Sequence, residues 1–481
     1  MAVVLIILDG IADRPWPSLG GLTPLQAART PNLDRFAADG ATGLMHPLGR
    51  GFAPGSELSH FVLFGYPRVQ FPGRGVIEAL GEDLPLTSDE VVFRGLFSTV
   101  ERQGDGSLMV RKRRTEISDE ECRELSASLG PFQHSGVSVE FVYNSQHQGI
   151  VYVRGAASEQ VTDSDPYVPG RPVTLVQPLT GSDERVAAPA TATALNMWLA
   201  RAYRTLDSHP INEKRRAEGL EPANFLLVKW SARLRPVPTF AELTGMAGAS
   251  VSSGVTCKGL AKLCGLDWRG VDYHSDWTED LRMRLATAGH AIAEGHDFVH
   301  VHTKAPDEAG RAKDPAKKRD VIEKLDAALV DLFAPGGLLT AREPDGTPSH
   351  LVIVTGDHGT PSGTELVHSG DAVPFAMIGP ATLRDTVASF DELACASGSL
   401  GHFEGRELMP DILNRIGRIK YMTAKLTPSN GIWWPDATEP LKIADPKASP
   451  APTTGGVSIE AVQRAQSQAQ QKSSGWMQRR R

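Results

Sequence analysis

Asp9, Asp357 and His358 offer the oxygen and nitrogen ligands that Mn2+ or Zn2+ accepts, and Asp307 and His368 extend the set. Taken singly, each has an ordinary explanation. A strand-end Asp-Gly is a common turn, and an Asp-His pair arises by chance. Together, with His368 followed by Ser369-Gly370-Asp371, they read as one dispersed metal constellation. Ser56 lies in Ala53-Pro54-Gly55-Ser56-Glu57, a tight turn ahead of an apolar helical run. A hydroxyl there sits near a helix N-terminus, which favours phosphate, although a plain capping serine has the same local signature. Gly73-Arg74-Gly75 sets a guanidinium between residues that let backbone approach an anion closely. His300 and His302 would share one face of a strand, a spacing that suits either a metal site or a structural pair. The Gly-x-Ser-x-Gly elbow of acyl hydrolases fails at Leu58, and the sequence has no complete dinucleotide fingerprint and no Walker A motif.

These residues need strands to present them. Val3 to Leu8 is a short apolar run ending in Asp9-Gly10, the pattern of a strand buried on both faces in a parallel sheet. The runs from Asp297 to His302 and from Leu351 to Val354 repeat it, leading to Asp307 and to Asp357-His358. Helical spacing covers Asp276 to Glu294 and Lys317 to Phe333 between them. Strands alternating with helices predict an α/β layered fold with a mostly parallel sheet, whose ligands gather beyond the carboxyl ends of the strands. Residues 106–185 alternate instead, as in Val137 to Tyr143 and Gly149 to Val153, and predict a small α+β insertion able to cap a site. The expected core is therefore 1–105 with 186–444. From Asp445 the Pro-, Ala-, Ser- and Gln-rich chain reads as a disordered tail, 445–481, with a short amphipathic helix near Ile459 to Gln466 as a weak alternative.

Composition narrows the function classes. The 481 residues carry 50 Lys plus Arg against 57 Asp plus Glu, a net charge of -7, which leaves no overall nucleic-acid footprint. Any phosphate must be held by local clusters such as Arg74, Arg94, Arg111 to Arg114 or Arg215-Arg216, of which the run at 111–114 reads as a solvated face. Cys122, Cys257, Cys264 and Cys395 are too few and scattered for a disulfide framework, so they predict reduced thiols. No stretch approaches the roughly 20 apolar residues of a membrane span. A cytoplasmic protein without a membrane or nucleic-acid partner is expected; its oligomeric state stays open.

The ordered set of motifs resembles the archaeal-type, cofactor-independent phosphoglycerate mutases of the alkaline phosphatase superfamily. The resemblance runs from Val3 to about Asn414. It rests on Leu8-Asp9-Gly10, Thr23-Pro24-Leu25-Gln26-Ala27-Ala28, Thr30-Pro31-Asn32-Leu33-Asp34, Pro54-Gly55-Ser56, Gly73-Arg74-Gly75, Phe93-Arg94-Gly95, Asp163-Ser164-Asp165-Pro166, His209-Pro210-Ile211-Asn212, Pro222-Ala223-Asn224, Lys258-Gly259, Lys304-Ala305-Pro306-Asp307 and Asp357-His358. It implies an isomerase that moves a phosphoryl group between the hydroxyls of phosphoglycerate through a phosphoserine between two divalent metals. Ser56 would be the nucleophile, also touching the metal held by Asp9, Asp357 and His358; Asp307 and His368 would belong to a second. Arg74, Arg94 and Lys258 would neutralise phosphate and carboxylate, and His60 would assist.

The departures concern one metal and the substrate side. Arg311 stands four residues after Asp307, where the family has a histidine. A guanidinium has no lone pair to donate. Either that site binds its ion weakly, or another residue such as His302 completes it, or Arg311 replaces one cation as partner of phosphate; one or two ions per chain are thus expected. Lys112-Arg113-Arg114-Thr115-Glu116, Gln148 after His147, and Val228-Lys229-Trp230-Ser231 also differ from the family pattern, the last where a glycine-containing stretch is usual. Three functions follow: phosphoglycerate mutase; a relative transferring or hydrolysing the phosphoryl or phosphonyl group of another small phosphorylated or phosphonate acid; or a catalytically silent binding homologue.

Overall fold

The computed structural model describes residues 1–443 apart from 146, 182–183 and 429. The expected tail and its helix near Ile459 lie outside the described residues. Met1–Trp434 form one compact unit.

The first strand, Ala2–Leu8, shows why the sheet forms. Val4, Ile6 and Leu8 enter one apolar cluster while Val3, Leu5 and Ile7 enter the other, so alternate side chains fill both faces. Each fully buried aliphatic contributes about 1.5–3 kcal/mol. The strand is flanked by Phe298–Thr303 and His350–Thr355, both parallel to it. The eight-stranded sheet runs, edge to edge, Asp267–Gly270, Gly248–Ser252, Phe298–Thr303, Ala2–Leu8, His350–Thr355, Val373–Ile378, Ala41–His46, Gly401–Glu404. Only Val373–Ile378 runs antiparallel to its neighbours. The expected helices are Trp277–Ala293 and Pro315–Leu329, the latter followed by a 3-10 turn to Phe333. The α/β class is as the sequence pattern indicated, and the three central strands end on one side, next to one another.

The second layer is wider than 106–185. Its antiparallel sheet includes Val91–Arg102 and Phe225–Arg233, which pair with each other, and Gln148–Gly155 pairs with the first of these. The helix Ala187–Asp207 packs on the same cluster through Leu195, Trp198 and Leu199. The boundary was missed because the flanking strands are covered twice. Phe93 and Phe97 face that cluster, whereas Val92 and Ala232 pack against Val76 and Ala79 of the helix Arg74–Gly81. Strands buried on both faces read like those of the main sheet.

The loop after the first strand is fastened to its surroundings at Asp13. Glu392 Oε1 accepts the Asp13 N–H at 3.0 Å and its Oε2 accepts the Thr23 hydroxyl at 2.8 Å. Burial pushes the Glu392 carboxyl up to about 7. With an unfolded value of about 4.3, the folded state binds this proton more tightly. Its contribution to stability is thus complete at low pH and is lost as pH rises from about 4.3 through 7. Relative to Glu392→Gln, the wild type is expected to lose stability between pH 5 and pH 8. Urea denaturation at both values checks this, and parallel behaviour of the two proteins would contradict it.

Candidate active site

Three neighbouring strands deliver the acidic residues. Asp9 directly follows Ala2–Leu8, Asp357-His358 follow His350–Thr355, and Asp307 lies in the helix Ala305–Arg311 that follows Phe298–Thr303. Gly10 makes the turn possible. Its φ is +68°, and a Cβ there would meet Thr360 Oγ1 at 2.4 Å. Its N–H donates to Asp357 Oδ1 at 3.1 Å, tying two strand ends together.

Ser56 begins the helix Ser56–Leu63. The residue before it, Gly55, offers no side-chain acceptor, so the N–H groups of the first turn remain available to an anion. The serine is therefore the first helical residue rather than its cap. Its Oγ lies 3.3 Å from Asp9 Oδ2 and 3.1 Å from His358 Nε2. His358 Nε2 also faces Asp9 Oδ1 at 3.1 Å and Asp357 Oδ2 at 3.4 Å.

Asp9, Asp357 and His358 are fully buried, and ligand atoms from all three lie within 4.8 Å of one another. Asp9 Oδ1 and Asp357 Oδ2 accept no hydrogen bond. Buried carboxylate oxygens left in that state are costly unless a cation satisfies them, so this donor set fits a divalent ion. The electrostatics agree. Burial opposes charge on the Asp9 carboxyl, yet Lys304 and His358 hold it well below the usual carboxylate range. Burial likewise opposes charge on His358, and Asp357 with Asp9 lifts it to about 9.

Asp307, His358 and His368 make a second group of ligand atoms. Thr360 Oγ1 donates to Asp307 Oδ1 at 2.8 Å. Asp307 Oδ2 faces Arg311 Nε at 2.8 Å and Lys304 Nζ at 3.7 Å. Asp307 Oδ2 likewise accepts no hydrogen bond, but the Arg311 and Lys304 cations lie beside it, so a divalent ion would meet two positive charges here and the fit is poorer than at Asp9.

Comparison with known proteins decides the family. A family model described as 2,3-bisphosphoglycerate-independent phosphoglycerate mutase matches residues 37–212. A protein so named from Methanocaldococcus jannaschii (number 2) is 39% identical over 425 residues, 87% of this chain and 94% of its own length. One from Methanopyrus kandleri is 36% identical, over 87% of this chain and 97% of its own. Among solved structures, the cofactor-independent phosphoglycerate mutase of Thermoplasma acidophilum is 32% identical with a TM-score of 0.57, covering 86% of this chain and 99% of that one. The chain belongs to the 2,3-bisphosphoglycerate-independent phosphoglycerate mutase family.

Two arginines expected from that family resemblance pair with acidic residues of the helices Ser56–Leu63 and Arg74–Gly81. Arg74 opens the helix Arg74–Gly81, with Nη1 3.3 Å from Glu57 Oε2 and Nε 3.2 Å from Glu78 Oε1. Arg94 meets the same Glu78 at 3.3 Å. Both guanidiniums lie over the Trp230 ring, at 3.9 and 5.3 Å. Trp230 has φ 62°, a left-handed conformation that glycine adopts more readily than tryptophan. Its backbone N–H donates to Asp163 Oδ1 at 2.8 Å.

Other expectations are placed elsewhere. Lys258 pairs with Asp83 at 2.5 Å and makes no hydrogen bond or ion pair to Ser56 or the acidic residues. His60 sits one helical turn behind Ser56, 3.3 Å from Asp357 Oδ2 and with its ring 5.0 Å from those of both His300 and His302. Burial lowers its pKa. Its place is behind Asp357, in contact with that carboxylate and without a hydrogen bond to it. Arg113 is not part of a solvated face, because it forks onto Asp165, with Nε to Oδ1 at 2.8 Å. Lys229 Nζ meets Asp165 Oδ2 at 2.9 Å. His209 is the turn residue it resembles, accepting the Ile211 N–H as a helix cap.

Lys304 was the miss among the charged residues. Its Nζ spans both acidic groups, 3.6 Å from Asp9 Oδ2 and 3.7 Å from Asp307 Oδ2, and Asp9 raises its pKa. The available signal was its place immediately after a buried strand. The four cysteines are all unpaired thiols. Among the described residues no helix is long and apolar enough to cross a membrane.

Proposed function

We propose that the chain interconverts 3-phosphoglycerate and 2-phosphoglycerate through a phosphoserine at Ser56, with Mn2+ or Zn2+ held by Asp9, Asp357 and His358, in the cytoplasm. One observation carries this reading: Ser56 Oγ, at a helix N-terminus, lies 3.3 Å from Asp9 Oδ2 and 3.1 Å from His358 Nε2. A divalent ion bound there would lower the pKa of that hydroxyl and offset phosphoryl charge.

The residues divide the work. The Ser56 hydroxyl points its hydrogen toward Asp9 Oδ2, the direction in which the proton departs as Oγ–P forms and the bond from phosphorus to the O3 oxygen of glycerate breaks. The departing O3 oxygen takes up the proton that Ser56 released. In the second half the O2 hydroxyl gives up a proton, its oxygen bonds phosphorus, the Oγ–P bond breaks, and Oγ takes up that proton, restoring Ser56. The first-turn N–H groups of Ser56–Leu63 and the Lys304 ammonium stabilise the spread phosphoryl charge. Arg74 and Arg94, backed by Trp230, are placed to hold the glycerate carboxylate while it turns. A second layer closed over this site would exclude the water that converts transfer into hydrolysis.

The test is a coupled assay from 3-phosphoglycerate to 2-phosphoglycerate with no 2,3-bisphosphoglycerate added. Turnover is expected with Mn2+, to fall at least about 100-fold after EDTA treatment, and to return on adding metal. No turnover at any metal concentration would rule out the mutase reading. A second reading, transfer on another small phosphorylated or phosphonate acid, is favoured by Trp230 in its left-handed position beside both arginines. A screen of such acids with Mn2+ separates the two.

A further inference from the structure

Arg311 occupies the ligand atoms of the second acidic group. Its Nε lies 2.8 Å from Asp307 Oδ2, and its Nη2 lies 3.0 Å from His368 Nε2. His368 Nδ1 is 2.6 Å from the Pro54 carbonyl oxygen. A carbonyl only accepts, so Nδ1 bears the hydrogen and Nε2 bears the lone pair. That lone pair takes the Nη2 hydrogen, and a guanidinium does not deprotonate in proteins to become a ligand itself.

The third member of the group does not repair this. His358 Nε2 faces Asp9 Oδ1 and Ser56 Oγ, both at 3.1 Å, and an imidazole nitrogen has a single lone pair. An ion held by Asp9, Asp357 and His358 leaves only Asp307 and His368 for a second, and Arg311 engages both. His302, the other imidazole the sequence offered, is turned away. Its Nε2 meets Asp9 Oδ2 at 2.9 Å and its Nδ1 meets Cys257 Sγ at 3.6 Å.

We propose that this chain binds a single divalent ion, and that the guanidinium of Arg311, held between Asp307 and His368, is a permanent second cation facing the transferred phosphoryl group. The inference rests on the reading of Asp9, Asp357 and His358 as the metal site. The Arg311 side chain is 47% exposed, so N–H donors beyond the one bonded to His368 can reach a substrate oxygen. A guanidinium supplies charge and directed hydrogen bonds but is not a Lewis acid. Activation of a hydroxyl is thereby confined to the Ser56 side, and Arg311 serves to bind and stabilise phosphoryl oxygens.

The experiment strips the full chain with EDTA, reloads it with Mn2+ and measures bound metal by mass spectrometry and by electron paramagnetic resonance. Wild type is expected to hold one ion per chain with the six-line spectrum of an isolated Mn2+. Arg311→His is expected to hold two, with the broadened spectrum of a coupled pair. Arg311→Lys, which keeps a cation and adds no ligand, is expected to stay at one. Arg311→Ala is expected to stay at one and to lose at least about 100-fold in turnover, since the charge on the phosphoryl oxygens goes unanswered. Two ions in wild type, or one in a folded Arg311→His, would overturn the proposal and leave the metal reading of Asp9 standing. No ion in wild type would overturn that metal reading itself.

Discussion

Ser56→Ala is expected to lower turnover by about 10^4-fold or more, while the thermal midpoint and the bound metal stay as in wild type. The size follows from removing the atom that forms the covalent bond, which leaves only positioning and electrostatics. The selectivity follows from geometry. Asp9, Asp357 and His358 come from strand ends, so three ligands remain when the Ser56 hydroxyl that touches Asp9 and His358 is removed. Incubation with labelled substrate and an acid quench provides a second measurement. Wild type should retain label on Ser56 and the variant should carry none. Label on the variant, or turnover within tenfold of wild type, would remove Ser56 from the mechanism.

The second large effect is on stability. Lys318 is fully buried, with Nζ donating to Ala12 O at 3.0 Å, Asp13 Oδ2 at 3.0 Å and Thr360 O at 2.8 Å. Burial lowers its pKa and Asp13 opposes that change. Lys318→Met removes one partner of a buried ion pair and leaves the Asp13 carboxylate with only the N–H groups of Arg14, Trp16 and Ser362 in place of its counter-ion, so the expected loss is about 3–5 kcal/mol. The same substitution unfastens two loops, one three residues after Asp9 and the other two residues after His358. Metal affinity should therefore fall together with the urea midpoint. A loss below about 1 kcal/mol would show that the lysine is not the clasp described.

The site was legible in the sequence where chemistry coincides with strand ends. A short apolar run ending at or just before Asp announces a parallel strand with a carboxylate near its tip, and Asp9 and Asp357 are found there. Asp307 was readable for the same reason, one helical turn later. What local pattern does not encode is where a long cationic side chain folds back. Lys258 swings to Asp83, whereas Lys304, in a motif of similar appearance, bridges both acidic groups. Each outcome depends on charges from distant stretches. His60 illustrates a related limit. Its spacing from Ser56 is plain, but only the packing of the His300 and His302 strand against that helix reveals that it lies behind Asp357. The extent of the second layer was hidden because Val91–Arg102 is buried on both faces and so resembles a core strand.

The pairing of Ala2–Leu8 with Phe298–Thr303 and His350–Thr355 bears on biosynthesis. During translation at about 5–20 residues per second, the first strand leaves the ribosome some tens of seconds before either neighbour exists. For that interval seven consecutive apolar residues have no native partner. The nascent chain is then expected to lean on holdase chaperones, and expression yield should respond to their supply more than does the stability of the finished protein.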